Sequence, residues 1–189
     1  MAVGLGQIRG VKQNVNPYIV DKEALKTELR ETYKDILITI EGINEDAFYK
    51  NNKEKWSAAQ NMAHLTLSAK VLSRALKAPK IALAFRFGLN SKKQRSLDWI
   101  RETYNNATFP AVTGFEPRMS SETSMVFEKE QFIKYHESII ASLDQWSEWQ
   151  LSLFKLPQLV LGKLSVREMN LFFSFHIEHH HKAIKLALD

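Results

Sequence analysis

Apolar residues recur at helical spacing through four long stretches of this chain, and no other feature of the sequence constrains the fold as strongly. In the first stretch, about Lys22 to Glu41, Leu25, Leu29, Ile36 and Ile40 share one face. Asp21 stands where an N-cap belongs, and Gly42 ends the run. The second comes after "KWS". Ser57 and Gln60 form an S-x-x-Q capping box, and the pattern continues to about Lys77, before Pro79. The third spans about Lys129 to Leu153, with Phe132, Ile139, Ile140 and Leu143 on one side. The fourth opens on another capping box, Ser165 with Glu168, and runs to about Leu188. Helices of this length bury their stripes against one another, so the expected class is all-α, a four-helix bundle.

Between the second and third stretches lies a long connection, residues 80–125. Its first part has room for one or two short helices. Its second part, "NNATFPAVTGFEPRMSSETS", is rich in turn formers. A bundle with one long crossover places such a segment over one end of the helices. Residues 1–20 read as an N-terminal arm and residues 21–189 as one domain, with 80–125 as its crossover insertion. A length of 189 residues suits one domain with a sizeable core.

The absence of cysteine excludes disulfides, thiolate zinc sites and a cysteine nucleophile, and suits a reducing cytoplasm. The opening "MAVGLGQIRGVKQN" has no apolar stretch long enough for a signal peptide. The most apolar run, "IALAFRFGL", is broken by Arg86 and too short to span a bilayer. A soluble protein with no membrane partner is expected. The net charge of +5 is local, because nine Lys or Arg lie between Lys70 and Arg101 against one acid, Asp98. Such a segment attracts anions, and Lys92, Lys93 and Arg95 are candidate anion-binding residues. With no nucleic-acid motif and only scattered aromatics, the segment reads foremost as a solvated basic face, and nucleic acid is not the expected partner.

Near the end, "FSFHIEHHHKAI" puts four histidines into the six positions 176–181. His176 and His180 are four apart, on one face with Met169, Phe172, Phe173, Ala183 and Ile184, so they sit inside the apolar stripe. His181 falls with Ser174, Glu178 and Lys185 on the polar face and is expected to be solvated. Glu178 is placed to pair there with Lys182. His179 is intermediate, placed to support a ligand, line a pocket or meet a partner. The protease pattern H-E-x-x-H is excluded, because Glu178 lies two places after His176 and points away from its face. On the second stretch His64 shares a face with Gln60, Leu67, Val71 and Ala75, so it also looks inward. Buried imidazoles need partners. Two readings stand: hydrogen bonds to other core groups, or convergence of His64, His176 and His180 on a zinc, nickel or similar ion with positions open to water or substrate. His136, between Phe132 and Ile139, is foremost a core residue and secondarily a fourth ligand or pocket residue.

These residues carry a resemblance. "W-S-x-x-Q-x-x-x-H-L", Trp56 to Leu65, resembles the W-S-x-x-E-x-x-x-H-L block of the DinB-like superfamily, which includes YfiT-like metal-dependent hydrolases and bacillithiol S-transferases. "LPQLVLGKLSVREMNLFFSFHIEHHHKAI" resembles its P-x-x-G-x-L-T-x-x-E…H-x-x-x-H-x-x-Q-I block, with Pro157, Gly162, Leu164, Glu168, His176, His180 and Ile184 in order. The resemblance implies an up-down-down-up bundle, a divalent metal held by His64, His176 and His180, and a homodimer. Two positions depart from it. Gln60 replaces the usual Glu, and Ala183 the usual Gln, which bears on how ligand and substrate are oriented.

A metal on three neutral ligands acidifies water, which gives hydrolysis, or binds a thiol as thiolate, which gives S-transfer. The transferase branch of the superfamily favours the second. The thiol then comes from a low-molecular-weight cosubstrate whose carboxylates Lys92, Lys93 and Arg95 are expected to hold. A non-catalytic binding or stress-response module is the further alternative. No general base is identified by spacing; Tyr104, His136 and His179 are candidates by elimination.

Overall fold

The computed structural model describes residues 20–50, 55–107, 117 and 123–188. The expected arm, apart from Val20, and most of the turn-rich half of the crossover therefore lie outside the described residues.

Helix α1, Lys22–Glu41, starts where Asp21 accepts a hydrogen bond from the Ala24 amide at 2.8 Å and stops at Gly42. A short α2, Glu45–Tyr49, comes next. In α3, Ala58–Lys77, the reciprocal box is formed: Ser57 Oγ accepts from the Gln60 amide and Gln60 Oε1 from the Ser57 amide. Pro79 ends that helix and starts α4, Lys80–Phe87. After a connection capped by Ser96 comes α5, Leu97–Asn106. These are the two short helices that the first half of the crossover has room for.

The third apolar stretch is not one helix. It begins at α6, Met125–Ser142, tightens into a 3-10 turn, Leu143–Gln145, and resumes as α7, Glu148–Leu153. The break serves Trp146. Its backbone turns extended, its indole is buried, and Nε1–H donates to the Leu76 carbonyl at 3.1 Å. That carbonyl lies in the last turn of α3, where no helical donor remains. Ser147 then caps α7 with its own box to Gln150.

Periodicity gave no sign of the hairpin after α7. Strand β1, Lys155–Gln158, pairs antiparallel with β2, Gly162–Ser165. Gln158 Oε1 accepts from the amides of Val160 and Leu161, and Gly162, at φ +73°, supplies the left-handed step. Helix α8, Val166–Leu188, leaves directly from β2.

The long helices pack in a cycle: α3 against α6 and α8, and α1 against α8 and α6. Leu25, Ile36, Met62, Leu65, Phe132 and Ile139 fill the core between them. Helix α5 lies on α8 and α4 on β1. The start of α8 is locked by charge. Glu168 accepts from the Ser165 amide at 2.7 Å and takes both arms of the Arg95 guanidinium at 2.9 Å, nearly out of solvent. Arg167, also buried, reaches Glu148 at 2.7 Å and the Val20 carbonyl.

Candidate metal centre

The capping box at Ser57 sets where α3 begins, and so where His64 stands two turns later. On α8 the four-residue spacing puts His176 and His180 on the face that α3 covers. One ring nitrogen from each of His64, His176 and His180 lies within 4.8 Å of the other two. His64 Nε2 and His176 Nε2 are 3.0 Å apart.

The orientation of His180 is set by its neighbours. Asn61 donates through Nδ2 to the Trp56 and Ser57 carbonyls, at 3.2 and 2.9 Å. Its Oδ1 therefore faces His180, whose Nδ1 lies 2.7 Å away and must carry the proton. That leaves the Nε2 lone pair of His180 aimed away from Asn61. Trp56 stacks on the His180 ring at 6.0 Å and Phe172 on the His176 ring at 5.4 Å. Buried His176 has no hydrogen-bond partner at Nδ1 among the described residues.

Burial keeps the two rings of α8 neutral. Burial, then the neighbouring His64 and His179, push His176 down to about 3. Burial also pushes His180 well below the usual histidine value. A ring that stays uncharged keeps a lone pair available, which a divalent ion requires. Nitrogens sharing an ion at about 2.0–2.1 Å stand at most about 4.2 Å apart, so a cluster within 4.8 Å is close to that span. A donor set of three imidazoles, two of them held neutral by burial and one ring fixed by an amide, thus fits a borderline divalent ion.

Beside the cluster is a cavity of about 520 Å³ between α3, α8, Phe87 and the β1–β2 hairpin. His179 is on its rim, in contact with the Tyr104 ring at 5.9 Å and the His180 ring at 5.4 Å. Burial, and secondarily Lys182, lower the pKa of His179. Tyr104 lines the same cavity, and burial raises its phenol pKa.

Other expected residues stand elsewhere. Gln60 spends its carboxamide oxygen on the capping box and does not line the cavity; its neighbour Asn61 meets His180 instead. A polar side chain three residues before an inward histidine was the available sign of Asn61. His136 is enclosed on α6, packed on Phe132 at 4.0 Å, with Nδ1–H donating to the Phe132 carbonyl at 2.7 Å. It belongs neither to the three-histidine cluster nor to the cavity lining. Lys92 and Lys93 are exposed, Arg95 is held by Glu168, and none of the three lines the cavity. His181, expected in solvent, is half-buried and hydrogen-bonds Thr39 Oγ1 at 2.7 Å, because α1 covers that side of α8. Glu178 pairs with Arg101 of α5 at 2.9 Å rather than with Lys182.

The model of one protein family, described as the DinB superfamily, matches residues 28–184. Searches of curated proteins and of solved structures find no match.

Proposed function

Because this chain belongs to the DinB superfamily, we propose that it is a metal-dependent enzyme in which His64, His176 and His180 hold one divalent ion, zinc or nickel, at the centre of an up-down-down-up four-helix bundle. The observation that carries the reading is the convergence of three imidazoles, drawn from two helices, beside a cavity. The cyclic pairing of α1, α8, α3 and α6 supports the bundle. Residues 21–189 form its single domain, and the homodimer implied by the family belongs to the same reading.

A divalent ion at this site supplies Lewis acidity that favours the deprotonated form of a small thiol or of water. The chain's own groups do the rest. Asn61 holds His180 in one tautomer. Trp56 and Phe172 cover the ring faces and limit the access of bulk water. His179 and Tyr104, on the cavity wall, are the groups placed to pass a proton to or from a substrate. The proposed reaction is transfer of a low-molecular-weight thiol to an electrophile, and the lack of cysteine puts the sulfur on a cosubstrate.

One observation favours hydrolysis as the second reading. No Lys or Arg is among the described residues lining the cavity, so none of these residues holds the carboxylates of an anionic thiol. Anchoring by Lys92 and Lys93 requires the thiol to extend beyond the cavity. Among the described residues no helix is long and apolar enough to cross a membrane.

Metal content of untagged protein tests the centre. Mass spectrometry should find about one divalent ion per chain, lost in both His64→Ala and His176→Ala. Native protein that stays metal-free after incubation with zinc or nickel makes the histidines pocket residues and turns the reading to a non-catalytic binding module.

A further inference from the structure

The cavity has a direction. On α3 the wall passes from His64 through Ser68 and Leu72 to Ala75; on α8 it passes back from His180 and His176 through Phe172 to Met169. Each path covers eleven residue steps, about 16.5 Å at 1.5 Å per step. Both helices leave the histidines along the same cavity. Four histidines, Tyr104 and Ser68 belong to its histidine half; Gln158, on the hairpin, also lines the cavity, and its carboxamide oxygen is taken by the Val160 and Leu161 amides. Leu72, Ala75, Phe87, Leu156 and Met169 form the far half, where the hairpin feeds α8.

Among the described residues the whole length is without charge. No Lys, Arg, Asp or Glu is among the described lining residues. The neighbouring guanidiniums are engaged, Arg95 by Glu168 and Arg101 by Glu178. A carboxylate or phosphate in the far half would lose its hydration and meet no counter-charge, whereas an alkyl or aryl group would gain by leaving water. A volume of about 520 Å³ is that of a site for a small organic molecule rather than for a few waters.

We propose that the substrate is an elongated, uncharged amphipathic molecule, with a polar reacting group at the histidines and an alkyl or aryl tail in the channel between Leu72, Ala75, Phe87 and Met169. This rests on the reading of the three histidines as the reacting centre, and it names the class of molecule brought to that centre. Specificity comes from tail length and from the absence of charge on the tail.

The test is displacement of the neutral fluorescent probe N-phenyl-1-naphthylamine from full-length, metal-free protein. The competitors are straight-chain primary amides of four to eight carbons and the carboxylates of equal length. The expected result is probe fluorescence that saturates and amide affinity that rises about three- to fourfold per added methylene. Each carboxylate should bind at least tenfold more weakly than its amide at pH 7.5. Ala75→Trp, which fills the far half, should weaken the longest amide at least tenfold while metal uptake after incubation with zinc or nickel stays at that of the unaltered protein. Amide affinity that does not change with chain length, or carboxylates that match the amides, overturns the proposal, and both are read on the unaltered protein whether or not the variant folds. Metal uptake by a second portion of the same protein, measured after incubation with zinc or nickel, separates the two ideas. Length-dependent binding by a protein that takes up no metal removes the metal centre and keeps the apolar channel. One ion per chain with no length dependence does the reverse.

Discussion

Asn61 Oδ1 accepts a hydrogen bond from His180 Nδ1 at 2.7 Å, and the same carboxamide is locked by the Trp56 and Ser57 carbonyls. The amide that starts α3 thus decides which nitrogen of a histidine on α8 is free to bind an ion. Asn61→Leu should release the ring and lower metal affinity about 10- to 100-fold, as loss of a ligand's outer hydrogen bond generally does. Asn61→Asp should retain most of the affinity, since a carboxylate accepts from the same N–H. Competition with a chromophoric chelator measures both, and equal affinity in Asn61→Leu would show that the bond orients nothing.

His136 makes stability depend on pH. Burial holds its pKa down to about 4 from the ordinary 6.5, against a smaller upward pull from the Phe132 carbonyl. Between those values the unfolded chain binds the proton and the folded chain does not. Stability from this group is therefore complete above about pH 6.5 and is lost as the pH falls toward 4. Its share should be about 2 kcal/mol between pH 7.5 and 5. Urea midpoints at the two pH values should fall less in His136→Leu than in the unaltered protein.

Arg95 and its basic neighbours should separate cleanly. Glu168 is 2% exposed, and Arg95 is its ion-pair partner. Arg95→Glu should cost about 3–5 kcal/mol, or unfold the start of α8, because it leaves a buried carboxylate unpaired. Lys92→Glu and Lys93→Glu, on exposed side chains, should stay within about 0.5 kcal/mol of the parent. Thermal melts decide this. The two lysine variants then test the anion-binding role without a folding defect, through the Michaelis constant for an anionic thiol.

Trp146→Phe should destabilise by about 1–3 kcal/mol, because the Leu76 carbonyl at the end of α3 loses its donor in a buried place. Denaturant unfolding measures the loss. A neutral result would mean that water reaches that carbonyl once the indole is gone.

The local parts of this protein were legible in its sequence because they depend on neighbours along the chain. Asp21, Ser57 and Ser165 each cap a helix that begins beside them, and the four-residue step from His176 to His180 fixes a shared face without reference to anything else. Pairing across elements was not legible. The break at Ser142 exists because Trp146 finds the Leu76 carbonyl on another helix, and α1 turns His181 from a solvated side chain into a bonded one. Arg95 belongs to Glu168, 73 residues away, and so does not act as a free cation. The exchange of Gln60 for Asn61 shows the limit most sharply. Both are amides on one turn of α3, and periodicity cannot say which one faces a ring that only folding brings near. Sequence determined which faces are apolar and where the histidines stand on them. Tertiary packing decided who their partners are, because a hydrogen bond or ion pair between distant residues needs a distance of about 3 Å that no spacing along the chain encodes.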